Sequence, residues 1–191
     1  AAAVLVGVNR MFDLGFTKKE LMERGVKLGA DVPYCIMRGT ALSEGIGEIL
    51  TELPAPPQCH LVIAKPQISV STKAVYGKLR VNELAPEEHP DIDGMMAAIK
   101  NGDLDGVIER LGNVLETVTV PDHPEISEIK EIMVENGACG SLMSGSGPTV
   151  FGIYKDRELA EKACQALREA DGGRLTRQVY LTEFYNRKKA R

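Results

Sequence analysis

Three short segments carry residue types that could do chemistry, and the first is GADVP at residues 29–33. Its carboxylate, Asp31, lies between Gly29, which we expect to end a helix as a left-handed cap, and Pro33, which disfavours an immediate return to helix. A carboxylate on such constrained backbone is held as a catalytic base must be held. Aspartate is also common in turns, so a turn or capping residue is the more frequent explanation of this local pattern.

The second segment is the glycine-rich stretch SGSGPT at residues 144–149. Gly145 and Gly147 allow backbone N–H groups to approach a ligand closely, and successive N–H groups can bind an anion. An ordinary hairpin with glycines at its positive-φ positions explains the pattern equally well. The stretch is not a Walker A loop, since it lacks G-x-x-x-x-G-K-[ST], nor a dinucleotide fingerprint, since the third glycine is missing.

The third segment is KPQISVSTKAVY at residues 65–76, which ends in Tyr76. Ser71 could cap a helix that carries Tyr76 at its end. An aromatic ring at that place could stack on a flat base, which is worth about 1–3 kcal/mol. A tyrosine that packs in the core explains the same pattern more simply, so Tyr76 by itself does not identify a ligand.

Helical and strand patterns alternate irregularly around these segments, with a hairpin in the middle of the second half. This order favours an α+β sandwich, a sheet covered by helices, over a doubly wound parallel sheet. Thr17 and Glu20 have the spacing of a capping box, which predicts a helix start. Helices are predicted at residues 1–12, from Thr17, Ser71, Asp91, Asp103 and Pro124, and at 156–170; strands are predicted at 59–64, 141–143, 149–154 and 179–184, and as a hairpin after Gly39.

Two of the predicted helices have one apolar face each. The face of the final helix includes Cys164, which we therefore expect in the core and not as a reactive thiol. The apolar positions are Leu104, Val107, Ile108, Leu111 and Leu115 in the helix from Asp103, and Leu159, Ala160, Ala163, Cys164 and Leu167 in the final helix.

Pro54, Pro56 and Pro57 mark a candidate domain boundary. We predict one domain over residues 1–56 and a second over residues 57–191. The first helix has no capping residue in front of it, which suggests that upstream sequence is missing. Residues 1–53 are therefore expected to have lost the front of a sheet and to expose apolar surface and unpaired strand edges. The second domain has its own strands and helices, and is the better candidate for independent folding.

Composition argues against several classes of function. The net charge of −4 and a pI of about 5.5 leave no electrostatic footprint for nucleic acid or an anionic membrane. No stretch reaches the roughly 18 consecutive apolar residues of a membrane span. The four cysteines are scattered and the three histidines are isolated. A zinc site or a disulfide framework is therefore not expected, and a reducing cytoplasm fits best.

Four segments, taken in order, resemble the GHMP kinase superfamily and, within it, the kinases of a cytidine-diphosphate-linked methylerythritol. GADVP or SGSGP alone is typical of the superfamily only. Their combination with EGIGE and with an aromatic residue after STKAV is typical of the cytidyl kinases. The resemblance implies a two-domain GHMP kinase architecture, here the end of the N-terminal ATP-binding domain and a complete C-terminal α/β sandwich. The segments are LGADVPYCIMRGTALSEGIGE, KPQISVSTKAVY, RLGNVLE and LMSGSGPTVFGIY.

The resemblance also implies a reaction: ATP-dependent phosphorylation of the C2 hydroxyl of the cytidyl substrate, in the non-mevalonate route to isoprenoid precursors. ATP is the co-substrate, and Mg²⁺ is its default metal. By motif match, Asp31 falls on the catalytic aspartate and Tyr76 on the aromatic that stacks against cytosine. Gly145, Ser146 and Gly147 fall on a conserved motif near the phosphates and the substrate. No residue of this chain is assigned to the metal.

Two parts of the family pattern are not found in this sequence: an N-terminal active-site lysine, and a long glycine-rich loop that wraps the ATP phosphates. We therefore expect that roughly the first third of the family chain is missing and that residues 1–191 alone are inactive. Two alternatives stay open. One is another GHMP kinase, acting on homoserine, mevalonate or a sugar; the other is a non-catalytic fragment or binding module.

Overall fold

Residues 1–185 are described by the computed structural model, and residues 186–191, the end of the second predicted domain, lie outside them. The described residues form two compact units. Unit one comprises Ala1–Pro56, together with Tyr185, and unit two comprises Pro57–Phe184. None of the described helices has the length and apolar character needed to cross a membrane.

Unit one contains three helices and a hairpin. The predicted capping box is confirmed: the Thr17 hydroxyl accepts the Glu20 N–H at 3.2 Å, and Oε2 of Glu20 accepts the Thr17 N–H at 2.8 Å. These bonds satisfy N–H groups that a helix start leaves without partners. The elements are α1 (Ala2–Met11), α2 (Lys18–Gly25), α3 (Val32–Met37), β1 (Thr40–Glu44) and β2 (Ile49–Leu53), with β1 antiparallel to β2.

The predicted cap at Gly29 is wrong. Helix α2 ends at Gly25, a turn follows, and Gly29 is not among the residues with positive φ. Pro33 does not prevent a helix either, because it lies in the first turn of α3. Its missing N–H costs nothing there, since the first N–H groups of a helix have no intrahelical acceptor. Asp31 immediately precedes α3, and its side chain makes no capping hydrogen bond.

Apolar surface is exposed in unit one, as predicted for residues 1–53. No residue of α1 is buried. Val4 and Phe12 are each 65% exposed, and Met11 is 77% exposed. The buried side chains of the unit are on its other elements and include Leu21 and Ile36.

Unit two is built on a four-stranded antiparallel sheet of order β4-β5-β3-β6, which confirms the predicted α+β sandwich. Alternate residues of a strand point to opposite faces. On β3, Val62 and Ala64 therefore pack with α8 and α9, whereas Leu61 packs on the other face with residues of α6. The strands are β3 (His60–Pro66), β4 (Gly140–Met143), β5 (Val150–Tyr154) and β6 (Thr176–Glu183).

Six α-helices of unit two lie among the described residues, and most predicted starts are confirmed. Ser71, Asp91 and Asp103 each cap a helix, their side-chain oxygens accepting an N–H three residues on. The helices are α4 (Thr72–Lys78), α5 (Ile92–Asn101), α6 (Leu104–Glu109), α7 (Glu116–Asp122), α8 (Glu125–Glu135) and α9 (Arg157–Glu169).

Two helix predictions need correction. Helix α6 ends at Glu109 and does not continue to Leu115, and the short helix α7 was not predicted. Gly112 disfavours helix by about 1 kcal/mol relative to alanine. Leu115 is buried as expected, but it lies beyond the end of α6. On α9, Leu159 is 38% exposed and does not belong to the buried face, whereas Cys164 is buried as predicted.

Candidate functional site

The glycine-rich stretch forms the connection between β4 and β5 in unit two. We call residues 144–149 the glycine loop. The Gly147 N–H donates to the Ser144 carbonyl at 3.0 Å, and the Ser144 N–H donates to the Thr149 carbonyl at 2.8 Å. Gly145 has a φ of 57° and Gly147 a φ of 84°, and the Gly147–Pro148 peptide is cis. Both glycines therefore adopt backbone that other residues rarely tolerate.

A second segment, residues 113–119, binds the backbone carbonyls of this loop and of the preceding residue through side chains, and we call it the anchor segment. Nδ2 of Asn113 donates to the carbonyls of Met143 and Gly145, both at 2.8 Å. The Thr119 hydroxyl donates to the Ser146 carbonyl at 3.2 Å. The anchor segment begins in the RLGNVLE stretch, and the roles of Asn113 and Thr119 were not predicted from the sequence.

Helix α4 contacts the glycine loop through side-chain hydroxyls. Oγ1 of Thr72 lies 2.8 Å from Oγ of Ser146. Tyr76 follows one turn later on the same helix and is 61% exposed, whereas its neighbour Val75 is buried. The core-packing explanation of Tyr76 is therefore wrong. The ring of Tyr76 is accessible to a ligand, and it lies on α4, the helix whose Thr72 contacts Ser146.

A cavity of about 210 Å³ lies between α4 and α7. The Lys78 ammonium donates to Oδ2 of Asp122 at 2.6 Å at its edge, and this hydrogen bond lowers the pKa of the Asp122 carboxyl. Thr119 lines the cavity and also bonds the glycine loop, so the two are adjacent. The lining includes Ser71, Val75, Lys78, Thr119, Asp122 and His123.

Asp31 lies in unit one with an exposed side chain. The EGIGE stretch at residues 44–48 is next to it: a Cβ built on Gly47, whose φ is 111°, would lie 3.9 Å from Oδ1 of Asp31. A residue with a Cβ at position 47 would be strained at this φ, and its Cβ would be in van der Waals contact with the Asp31 carboxylate. The structure thus brings together two motifs, GADVP and EGIGE, that are about ten residues apart along the chain.

The two buried cysteines, Cys59 and Cys164, are not placed for nucleophilic chemistry. Burial raises the pKa of the Cys59 thiol to about 11 and also raises that of Cys164. Both thiols therefore stay protonated near neutral pH and are poor nucleophiles. Within residues 1–185, no three His, Cys, Asp or Glu side chains converge in a way that could hold a metal ion.

Comparison with protein families finds one matching model, described as GHMP kinases C terminal, over residues 95–172. Among curated proteins, the chain is 55% identical to a 4-diphosphocytidyl-2-C-methyl-D-erythritol kinase of Lachnospira eligens, over 97% of this chain and 62% of that protein. It is 50% identical to the kinase of that name from Lachnoclostridium phytofermentans, over 98% of this chain and 63% of that protein. The chain thus spans about three fifths of the length of these relatives.

Solved structures agree on the fold. A crystal structure of 4-(cytidine 5'-diphospho)-2C-methyl-D-erythritol kinase matches with a TM-score of 0.76 and 28% identity, over 96% of this chain and 62% of that one. A homoserine kinase from Cytophaga hutchinsonii matches with a TM-score of 0.78 and 20% identity, over 97% of this chain and 63% of that one. The second likeness shows a shared fold alone, because its sequence identity is low.

Proposed function

We propose that the full-length protein is a 4-diphosphocytidyl-2-C-methyl-D-erythritol kinase. The chain is 55% and 50% identical to two kinases of that name, and residues 95–172 match the model of the GHMP kinase C-terminal region. The full-length protein transfers the terminal phosphoryl group of ATP to the C2 hydroxyl of its cytidyl substrate, a step of the non-mevalonate route to isoprenoid precursors. The identity of 55% over nearly the whole chain is the observation that carries this proposal.

Asp31 is proposed to orient the attacking hydroxyl and to accept its proton. Phosphoryl transfer depends mainly on in-line positioning and on charge stabilisation. A carboxylate is a weak base for an alcohol, but it can accept the proton late, when the oxygen has become acidic in the transition state. The exposed side chain of Asp31, which makes no capping bond, leaves its oxygens available for this role.

The glycine loop and Tyr76 are proposed to bind the rest of the reactants. Gly145, Ser146 and Gly147 lie near the phosphates and the substrate, where N–H groups can bind anionic oxygens. Tyr76 stacks against the cytosine ring, and its 61% exposure supports this assignment. The partner is thus a small molecule that carries a cytidine diphosphate.

ATP is the proposed co-substrate, with Mg²⁺ bound to its phosphates. No side chain among residues 1–185 is assigned to the ion. Residues 1–56 are proposed as the end of the ATP-binding domain and residues 57–191 as the C-terminal domain. The four free cysteines support a reducing compartment, and we place the protein in the cytoplasm.

A substrate panel tests this function. The full-length protein with ATP and Mg²⁺ is expected to phosphorylate the cytidyl substrate, and to leave homoserine, mevalonate and methylerythritol phosphate without the cytidine unchanged. Product is measured by phosphorus NMR, which also identifies the phosphorylated position. Turnover of homoserine or mevalonate at a comparable kcat/KM would favour a different GHMP kinase, and no turnover of any substrate would favour a non-catalytic module.

Replacing Tyr76 by alanine tests the base-stacking role. Loss of one stacked base is expected to weaken binding of the cytidyl substrate by about 5- to 150-fold, the equivalent of about 1–3 kcal/mol. The affinity for ATP should stay nearly unchanged, and both are measured by calorimetric titration. Tyr180→Ala removes a tyrosine of β6 that is 54% exposed and is the matched control. Equal loss of both ligands would instead indicate a structural role for Tyr76.

A further inference from the structure

Every backbone carbonyl from Met143 to Ser146 accepts a hydrogen bond from within unit two. Asn113 donates to the carbonyls of Met143 and Gly145, and Thr119 donates to that of Ser146. The remaining carbonyl, that of Ser144, accepts the Gly147 N–H inside the loop. The carbonyl groups of residues 143–146 are therefore all used as acceptors by the protein itself.

The donor side is different. Among the hydrogen bonds of residues 1–185, none is donated by the N–H of Gly145 or of Ser146. In a planar trans peptide the C=O and the following N–H point in opposite directions. When Asn113 binds the Gly145 carbonyl, it therefore turns the Ser146 N–H away from the anchor segment. The bond from the Gly147 N–H to the Ser144 carbonyl likewise turns the Gly145 N–H away from Gly147, and Thr119 fixes the Ser146–Gly147 peptide to which that donor belongs.

Charge beside the loop is balanced as well. Oε1 of Glu116 accepts the Met143 N–H at 2.7 Å, and its Oε2 accepts the Lys130 ammonium at 2.6 Å. The Glu116 carboxylate therefore holds the end of β4 while a neighbouring cation compensates its charge. An anion bound by the loop meets two free N–H groups and little net repulsion from this carboxylate.

We propose that Asn113 and Thr119 are positioning residues for a phosphate oxygen of a reactant. Asn113 orients the Ser146 N–H directly, through the Gly145 carbonyl, whereas Thr119 orients the Gly145 N–H indirectly, by fixing the Ser146–Gly147 peptide whose N–H binds the Ser144 carbonyl. The inference rests on the proposed function for the identity of that reactant. The phosphate belongs either to ATP or to the diphosphate of the cytidyl substrate. Neither side chain needs to touch the ligand, because each acts through the loop carbonyl that it binds.

Two pairs of variants test the proposal in the full-length protein. Asn113→Ala is compared with Asn136→Ala, because Asn136 also donates to a backbone carbonyl, that of Ile132 at 2.8 Å, on helix α8. Thr119→Val is compared with Thr117→Val, because the Thr117 hydroxyl donates to the Val114 carbonyl, at 2.7 Å, and within residues 1–185 makes no bond to the glycine loop. Thr119→Val keeps the shape of a buried side chain, so it remains informative if Asn113→Ala fails to fold.

The first readout is direct and does not depend on activity. Inorganic pyrophosphate is titrated into protein labelled with ¹⁵N at glycine and serine, and the amide resonances of Gly145 and Ser146 are followed. The wild-type protein and both controls should show saturable shifts. Asn113→Ala and Thr119→Val should raise the pyrophosphate Kd about tenfold, the effect expected for one or two lost backbone-orienting bonds. Unchanged affinity in both variants, or no response of these amides in the wild type, overturns the proposal.

The second readout names the reactant. If the KM for ATP rises about tenfold in Asn113→Ala and Thr119→Val while that for the cytidyl substrate stays constant, the loop binds an ATP phosphate; the reverse pattern assigns it to the substrate diphosphate. Unchanged values of both KM, or an equal rise of both with a lower melting temperature, overturn the positioning role. A wild-type protein without cytidyl kinase activity would refute the proposed function, and the pyrophosphate titration would still decide this inference.

Discussion

Asp31→Asn is expected to lower the kcat of the full-length protein by about 10²–10⁴-fold, the usual effect of removing a group that transfers a proton in the transition state. The amide has almost the same shape as the carboxylate and can still contact the substrate hydroxyl. It cannot accept the proton, so the KM for the cytidyl substrate should change little. A loss confined to kcat indicates an interaction made only in the transition state.

Steady-state kinetics at saturating ATP measure this effect, and Asp13→Asn is the matched control. Asp13 is another exposed aspartate of unit one and has a φ of 47°. Asparagine adopts positive φ more readily than most residues, so the control should fold normally. Turnover within a factor of about two of the wild type in Asp31→Asn would end the assignment, and a similar loss in both variants would indicate damage to unit one.

Gly147→Ala is expected to lower the free energy of unfolding by about 2–4 kcal/mol, from backbone strain together with overpacking. A Cβ at this position would lie 2.5 Å from the sulfur of Met143 and 3.5 Å from Cγ2 of Thr119. Met143 is 1% exposed and cannot move its sulfur aside freely. The φ of 84° is also unfavourable for any residue with a Cβ.

Gly145→Ala is the matched control, because Gly145 lies two residues away in the same loop. Its φ is also positive, at 57°, but nothing lies within 4 Å of a Cβ built there. Only backbone strain from the positive φ remains, so the free energy of unfolding of this variant should fall by about 1 kcal/mol. Urea unfolding of the full-length protein, followed by circular dichroism, compares the two. An equal or larger loss for Gly145→Ala would contradict the predicted collision with Met143.

Local patterns in the sequence predicted most helix starts correctly. The capping residues Thr17, Ser71, Asp91 and Asp103 satisfy N–H groups within a few positions along the chain. Such contacts depend little on the rest of the fold. The apolar run of β3 likewise predicted a buried strand, because hydrophobic burial is the main driving force of folding.

Predictions from the sequence failed where contacts between residues far apart along the chain determine the structure. The apolar positions through Leu115 suggested one helix, but Asn113 lies outside any helix and bonds carbonyls 30 and 32 residues later. Leu159 has the spacing of a buried residue, yet it is 38% exposed. The exposure of a given helix position depends on what packs against it, which the helical period alone does not specify.

The sequence by itself determined the α+β class of the fold, most of the local caps and, through its motifs, the resemblance to GHMP kinases. Asp31 and Tyr76 could be singled out by their positions in the motifs. From the sequence alone, however, Asp31 could equally be a turn or capping residue and Tyr76 a residue that packs in the core. Only the tertiary structure decided that the Tyr76 ring is exposed, that Gly47 lies beside Asp31, and that Asn113 and Thr119 hold the glycine loop. The physical reason is that exposure and hydrogen bonding between distant segments depend on packing, whereas caps and periodicity depend on near neighbours along the chain.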